Sequence, residues 1–302
     1  MSSLPPVAEA RVASRGSRTG QLSDFASLAK PRVNSLVLVT TGLGYLLSRR
    51  SPDLPVLLWA LVGTGLVAGG AAAFNQVWER ELDSRMRRTA RRALPAGRIE
   101  VVPALLFAFA LSVAGILQLL LAVNAVAAAL AASSLILYVL VYTPLKRVTS
   151  LATVVGAIPG AIPPMIGWAA GTGGLEPGAW VLFTILFLWQ MPHFLAIAWL
   201  YRQDYARAGF PMLPVVEPGG ASTGRQALLY AATLLPVSIG LTALRITGRV
   251  YFLGALVCGV AFVAAALVFA IRRSTPSARW LFWASILYLP VLLTLAYWDK
   301  VS

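Results

Sequence analysis

The sequence predicts an all-α fold class: a polytopic transmembrane bundle of about nine helices. Three observations lead there. Hydrophobic residues make up 58% of the 302 and charged residues only 12%, whereas a water-soluble domain needs about a quarter charged to cover its surface. The apolar residues fall in blocks of about twenty, the length that crosses roughly 30 Å of hydrocarbon as a helix. In lipid each backbone N–H and C=O must find its partner within the segment, so such blocks are helices.

Taken in order, residues 1–29 are rich in Ser, Arg, Pro and Ala without an apolar core segment, and they read as a disordered cytoplasmic tail. Residues 30–300 read as a single transmembrane domain. Its spans lie near 33–49, 55–77, 102–121, 124–142, 151–170, 179–200, 226–245, 250–271 and 279–297. The single cysteine, Cys258, sits within a span, which excludes a disulfide framework and a cysteine metal site. Pro159, Pro163 and Pro164 with Gly156, Gly160 and Gly167 interrupt the fifth span; they serve close packing first and cavity shaping second. Trp78, Trp168, Trp180 and Trp298, near span ends, read as interfacial anchors.

Orientation follows from the 25 Lys and Arg residues. Twenty of them fall on the side of the N-terminal tail and the even-numbered loops: Arg11, Arg15, Arg18, Lys30 and Arg32, the run from Arg80 to Arg98, then Lys146, Arg147, Arg202, Arg207, Arg225, Arg272, Arg273 and Arg279. The other five are Arg49, Arg50, Arg245, Arg249 and Lys300. The positive-inside rule makes the N-terminus cytoplasmic and, with nine spans, puts the C-terminus on the opposite side. The net charge of +14 then reads as topology and attraction to anionic lipid of the bilayer. A nucleic-acid partner is not expected, for no folded basic module with interleaved aromatics is present.

The acids cluster on the same cytoplasmic side. Asn75, Glu79 and Asp83 are spaced i, i+4, i+8 at the end of the second span, which puts them within about an 80° arc of a helix. An amide and two carboxylates on one face suit Mg2+, a hard ion that keeps waters and bridges to substrate phosphates. The same acids also serve as a solvated helix end balancing nearby arginines, and spacing does not separate the two readings. Asp204, after the sixth span, falls on the same side; it faces either a shared metal–diphosphate site or an ion pair with Arg202 or Arg207. Tyr142, Lys146 and Arg147 close the fourth span there and offer charge-assisted donors to a diphosphate. His193, the only histidine, lies in the cytoplasmic half of the sixth span, where an ionisable residue is a functional candidate. A neutral histidine bonded to a neighbouring helix is the plain alternative.

These segments carry a family resemblance. Asn75 to Pro95 resembles the N-x3-D-x3-D motif of the UbiA superfamily of intramembrane prenyltransferases. Within it, several segments are similar to the heme branch, the protoheme IX farnesyltransferases (heme O synthases): Lys30-Pro-Arg, Met86-Arg-Arg-Thr-Ala-Arg-Arg-Ala-Leu-Pro95, Tyr142-Thr-Pro-Leu-Lys-Arg-Val-Thr149, the Gly156–Trp168 proline segment, Trp189-Gln-Met-Pro-His-Phe194 and Asp204-Tyr-Ala-Arg-Ala-Gly-Phe-Pro-Met-Leu213. The likeness runs from about Lys30 to the eighth span. Glu79 stands where the superfamily usually has Asp, Ala208 where quinone-type relatives carry a second Asp, and Ala93 where Pro is commoner.

The resemblance implies a UbiA-type fold and transfer of farnesyl from farnesyl diphosphate to the 2-vinyl group of heme b, with water added, giving heme O. It implies Mg2+ held by Asn75, Glu79, Asp83 and Asp204, with Lys146, Arg147 and Tyr142 on the diphosphate. It implies heme contacts from His193, and from Arg88 and Arg92 toward the propionates. It further implies a bacterial cytoplasmic (inner) membrane location and, as a partner, a downstream heme-modifying enzyme or a terminal oxidase assembly. A prenyltransferase acting on a quinone precursor is the nearest alternative. A secondary transporter, whose binding groups lie near the midplane, and a non-catalytic heme-binding subunit, which usually offers paired histidines, are the alternatives of other classes.

Overall fold

The structure is a computed structural model that describes residues 18–49 and 51–301. Most of the expected tail, and Arg11, Arg15 and Arg50 of the charge asymmetry, lie outside the described residues. The last part of that tail differs from expectation: Arg18–Leu28 is a helix, α1. Leu28 is fully buried and its carbonyl accepts from Gln76 Nε2 at 2.8 Å, which docks α1 on the next hairpin.

The remaining elements are α2 Pro31–Ser48, α3 Leu54–Trp78, α4 Arg80–Ser84, α5 Val101–Ala122, α6 Ala125–Leu145, α7 Ala152–Thr172, α8 Pro177–Leu200, α9 Arg202–Ala208, α10 Ala221–Ala243, α11 Arg249–Arg272 and α12 Thr275–Trp298. Eight of the described helices, α3, α5 to α8 and α10 to α12, are long and apolar enough to cross a membrane. The ninth expected span is α2, whose first turns carry Pro31, Arg32, Asn34 and Ser35 and so fall short of that apolarity. Each observed span begins and ends within a few residues of its sequence-based range, the widest gap being α10, which starts at Ala221 rather than 226.

Helix ends are fixed by the usual polar devices. Asn124 Oδ1 accepts from Ala127 N–H at 2.8 Å at the start of α6. Ser274 and Ser277 satisfy each other's backbone at the start of α12. Among the described residues strand structure is limited to one isolated bridge, Thr247 with Lys300.

The helices form a ring: α2–α3–α5–α6–α7–α8–α10–α11–α12 pack in succession, and α12 returns to α2. Helices α7 and α8 carry the most protein contact, with 67% and 61% of their central windows buried against 22–44% for the other spans. The outer spans turn Leu106, Phe109, Leu121, Val257 and Leu287 outward, the apolar surface that hydrocarbon solvates.

The broken fifth span explains how α7 comes so close to its neighbours. A Cβ on Gly167 would lie 1.8 Å from the Thr41 carbonyl, and one on Gly44 would lie 2.1 Å from the Pro164 carbonyl, so α2 and α7 touch backbone to backbone. Pro163 has no N–H to give to Pro159; that freed carbonyl accepts from Ser134 Oγ at 3.2 Å instead. Packing and cavity shaping are therefore served by the same residues. Trp78, Trp180 and Trp298 are exposed near span ends, but Trp168 is buried, so it is a core residue rather than an anchor.

Candidate active site

The end of α3 keeps its three polar groups together. Glu79 N–H bonds to the Asn75 carbonyl at 3.0 Å and Asp83 N–H to the Glu79 carbonyl at 2.7 Å, so the i, i+4, i+8 spacing survives the junction into α4. All three side chains are buried, and each meets a group from elsewhere in the chain. Asn75 Oδ1 accepts from Lys30 Nζ at 3.0 Å, and its amide donates to Thr143 Oγ1 at 3.3 Å. Glu79 accepts from Lys146 Nζ at 3.0 and 3.3 Å. Asp83 Oδ2 accepts from Arg92 at 2.6 Å, while its Oδ1 is buried and, among the described residues, without a hydrogen-bond partner.

Lys30 sits between α1 and α2 in the left-handed region, φ 47° and ψ 58°. For a residue with a side chain, and one preceding a proline, that conformation costs about 1–3 kcal/mol. It turns the chain so that the ammonium reaches Asn75. Burial, then the neighbouring Arg92 charge, lower the Lys30 pKa to about 8, with Glu79 opposing.

A cavity of about 490 Å3 runs from this polar mouth into the bundle. Lys30, Arg92 and Lys146 line its polar end, with Tyr138 and Tyr142 beside them. Those tyrosines lie in the segment Leu137–Tyr142, where α6 widens to π-type turns just before Pro144. Tyr142 packs on Gly156, where a Cβ would come within 2.5 Å of its ring. Deeper in, Pro159, Gly160, Trp189, Gln190, His193 and Phe194 form the walls. The His193 ring lies against Trp189 and Phe282, with both centroids 5.2 Å away.

The segments flagged from sequence do gather at one mouth. Leu82 and Met86 pack with Tyr205, Ala208, Phe210 and Met212, so the two motif regions touch. Tyr142, Lys146, Arg92 and His193 line the cavity, whereas Asn75, Glu79 and Asp83 lie outside its wall and meet it through Lys30, Lys146 and Arg92. Asp204 differs: it is paired with Arg207 on its own helix and lies outside the cavity wall, which Tyr205 occupies. Arg147 also differs, since its guanidinium donates to the Trp78 carbonyl on the exposed side. In the turn after Leu145 the two side chains part, Lys146 to Glu79 and Arg147 to the Trp78 carbonyl.

Arg88 and Arg92 do not act as an i, i+4 pair, because residues 85–99 form turns rather than helix. Arg88 donates to Tyr205 Oη at 3.3 Å and stacks over Tyr201 and Tyr205, while Arg92 turns to Asp83. Both border a second, open basic cleft of about 360 Å3 with Lys30, Arg91 and Arg98. Sequence reasoning gave no role to Lys30, Tyr138 or Gln190. A lysine immediately before a span-opening proline on the acidic side was the available signal for the first.

Among the described residues, no three His, Cys, Asp or Glu side chains form a closed metal cage. The donors present fit an ion shared with a substrate instead. The bare Asp83 Oδ1, with Glu79 and Asn75 on the same face, offers the hard oxygens that Mg2+ takes while phosphates complete its shell.

Comparison with known proteins decides the family. The model of the UbiA prenyltransferase family matches residues 37–286. The chain belongs to that family. It is a prenyltransferase, 47% identical over 92% of its length, and 99% of the relative's, to a protein from Solibacter usitatus named protoheme IX farnesyltransferase. A protein of the same name from Koribacter versatilis is 43% identical, with 92% of this chain and 94% of the relative covered. The fold is that of solved prenyltransferase structures. A structure from work on digeranylgeranylglyceryl phosphate synthase aligns with TM-score 0.80 and 17% identity over 93% of this chain and 98% of that one. A UbiA homologue from Archaeoglobus fulgidus bound to GPP and Mg2+ aligns with TM-score 0.65 and 15% identity over 90% and 99%.

Proposed function

We propose that this prenyltransferase joins the farnesyl group of farnesyl diphosphate to the 2-vinyl group of heme b, with addition of water, to give heme O. The observation that carries the reading is one large, mostly apolar and aromatic-walled cavity whose polar end is lined by Lys30, Arg92 and Lys146, each bonded to one of the buried residues Asn75, Asp83 and Glu79. Each substrate has an apolar body and an anionic end, which is the shape of that space. The relatives named protoheme IX farnesyltransferase support the same acceptor.

Lys146 and Lys30 bring positive charge to the diphosphate as its bond to the allylic carbon breaks, with Tyr142 as a hydroxyl donor and Arg147 a longer-range charge. Charge aimed at a leaving group is worth most in a water-poor site. Asn75, Glu79 and Asp83, with Asp204 at the rim, would hold Mg2+, which would supply further positive charge toward the diphosphate. Aromatic and apolar walls exclude water from the allylic cation until the vinyl carbon has attacked. The vinyl electron pair forms the new C–C bond, the diphosphate leaves with the C–O pair, and water adds to the resulting pyrrole-stabilised cation with loss of a proton. His193 contacts the porphyrin within the cavity; Arg88 and Arg92 face the propionates from the basic cleft.

The mouth belongs to the cytoplasmic side, with the C-terminus across the bilayer of the bacterial inner membrane. The product, an apolar heme, passes to a heme-modifying enzyme or a terminal oxidase assembly. Incubating the purified protein with heme b, farnesyl diphosphate and Mg2+ and analysing porphyrins by mass tests the activity. Heme O is the expected product. Prenylation of an aromatic quinone precursor, with heme b untouched, would replace this reading by the quinone branch.

A further inference from the structure

Ser285 of α12 holds two walls of the cavity at once. Its carbonyl accepts from Trp189 Nε1 at 2.8 Å, and its hydroxyl lies 2.7 Å from His193 Nδ1. The same hydroxyl donates to the Phe282 carbonyl at 2.6 Å. A carbonyl only accepts, so the single hydroxyl proton is used there, and Ser285 Oγ must accept from Nδ1–H. The network therefore assigns His193 the neutral tautomer protonated on Nδ1. Nε2 keeps its lone pair and, among the described residues, has no hydrogen-bond partner, on a ring that lines the cavity.

The ring cannot easily turn to change this. Trp189 and Phe282 both stack against it, with interplanar angles of 19° and 24°. Among the described residues no carboxylate pairs with it, so nothing nearby would stabilise an imidazolium. One nitrogen tied down by a neighbour and the other bare is how proteins prepare an imidazole for a metal. Imidazole is a natural axial ligand for a porphyrin iron.

We propose that His193 Nε2 ligates the iron of the porphyrin substrate, with Ser285 as the positioning residue that fixes the tautomer. The proposal rests on the heme reading above. Iron held at one point leaves the macrocycle free to rotate only about the Fe–N axis. The choice between its vinyl groups then falls to the contacts at its carboxylate edge.

The test is a titration of the full-length protein in nanodiscs with ferric heme b, followed by Soret absorption and electron paramagnetic resonance. A nitrogen-ligated signature is expected. In His193→Ala it is lost and heme b binding weakens about tenfold or more, while binding of iron-free protoporphyrin IX stays the same and added imidazole restores the signature. His193→Met, close in bulk and apolar, exchanges the nitrogen signature for a thioether one. Ser285→Ala weakens ligation severalfold and Ser285→Thr recovers it. An unchanged spectrum in His193→Ala and His193→Met, with heme b still bound and converted, would overturn the ligation and leave the enzyme reading standing. A wild-type protein that binds no heme b would remove that reading and this one together.

Discussion

The two acidic motifs of this prenyltransferase are held in different ways. Asn75, Glu79 and Asp83 are buried, and their partners Lys30, Lys146 and Arg92 come from the α1–α2 junction, the end of α6 and the turns after α4. Asp204 is bound by Arg207, three residues on in its own short helix. The first motif is thus a crossing point of three chain segments, and the second is a local pair at the rim. Residue type does not by itself distinguish them; the difference lies in what each acid is tied to. Work on either side of that difference will test it.

The largest effect is expected at Asp83. Asp83→Asn keeps shape but removes the charge and, with its amide oxygen turned to Arg92, puts an NH2 where the bare oxygen stood; farnesyl transfer should fall by about a thousandfold, near the upper range for losing one charge-stabilising group. The assay is heme O formation by protein that still inserts and elutes normally. Near-normal turnover would show that the first motif is no more than a structural knot.

Next comes the Lys146–Glu79 pair, whose side chains are 13% and 4% exposed. Lys146→Met strands a buried carboxylate, at a cost of roughly 3 kcal/mol in stability. It should also slow transfer by about a hundredfold, because a diphosphate cation is lost. In the double variant Lys146→Met/Glu79→Gln much of the stability should return, read by thermal melting in detergent, while activity stays low. Recovery of both would mean the pair is structural.

Much of this was legible in the chain, and the remainder has identifiable causes. Block length and hydropathy fixed the nine helices, because lipid enforces internal hydrogen bonding. The i, i+4, i+8 acids and Tyr142 with Lys146 were readable because i to i+4 backbone bonds carry the helical spacing across the break at Glu79 and past the end of α6. Arg88 and Arg92 defeated that logic since their segment is not helical. Lys30 and Ser285 were hidden for another reason: their roles depend on α3 and α8, which are distant in sequence and near only after the ring closes. Arg147 shows the limit of composition, for a basic residue beside one that lines the cavity can face away from it.

Lys30 makes the first motif sensitive to pH. Its pKa is lowered to about 8 by burial and by Arg92. Below that pH the ammonium is charged and available to the diphosphate; above it the charge is lost. The value of kcat/KM for farnesyl diphosphate should therefore fall as pH rises through about 8, approaching tenfold per unit at the limit. In kcat the limb should move to higher pH, because bound diphosphate favours the charged form. Lys30→Arg, which stays protonated, should remove the limb. A limb that persists in that variant belongs to another group.

The smallest effects belong to the rim. Asp204→Asn breaks a pair already screened by water, and Arg207 is 44% exposed in its side chain, where such pairs contribute about 0–1 kcal/mol. Stability should scarcely change. Transfer should drop by about tenfold, since on the proposed reading Asp204 only supplements the buried oxygens, and the loss should appear in KM for farnesyl diphosphate. Arg207→Ala frees Asp204 to turn toward the mouth, so it should leave that KM equal or slightly lower. Tyr205→Phe separates the motif's acid from its aromatic: it keeps the cavity wall and removes only the acceptor of the Arg88 bond. If Asp204→Asn proves as damaging as Asp83→Asn, the acid must leave Arg207 during turnover and join the buried set, and the two motifs are equals in the working enzyme. If the order holds, the second motif contributes chiefly through Tyr205 and the surface it packs against Leu82 and Met86.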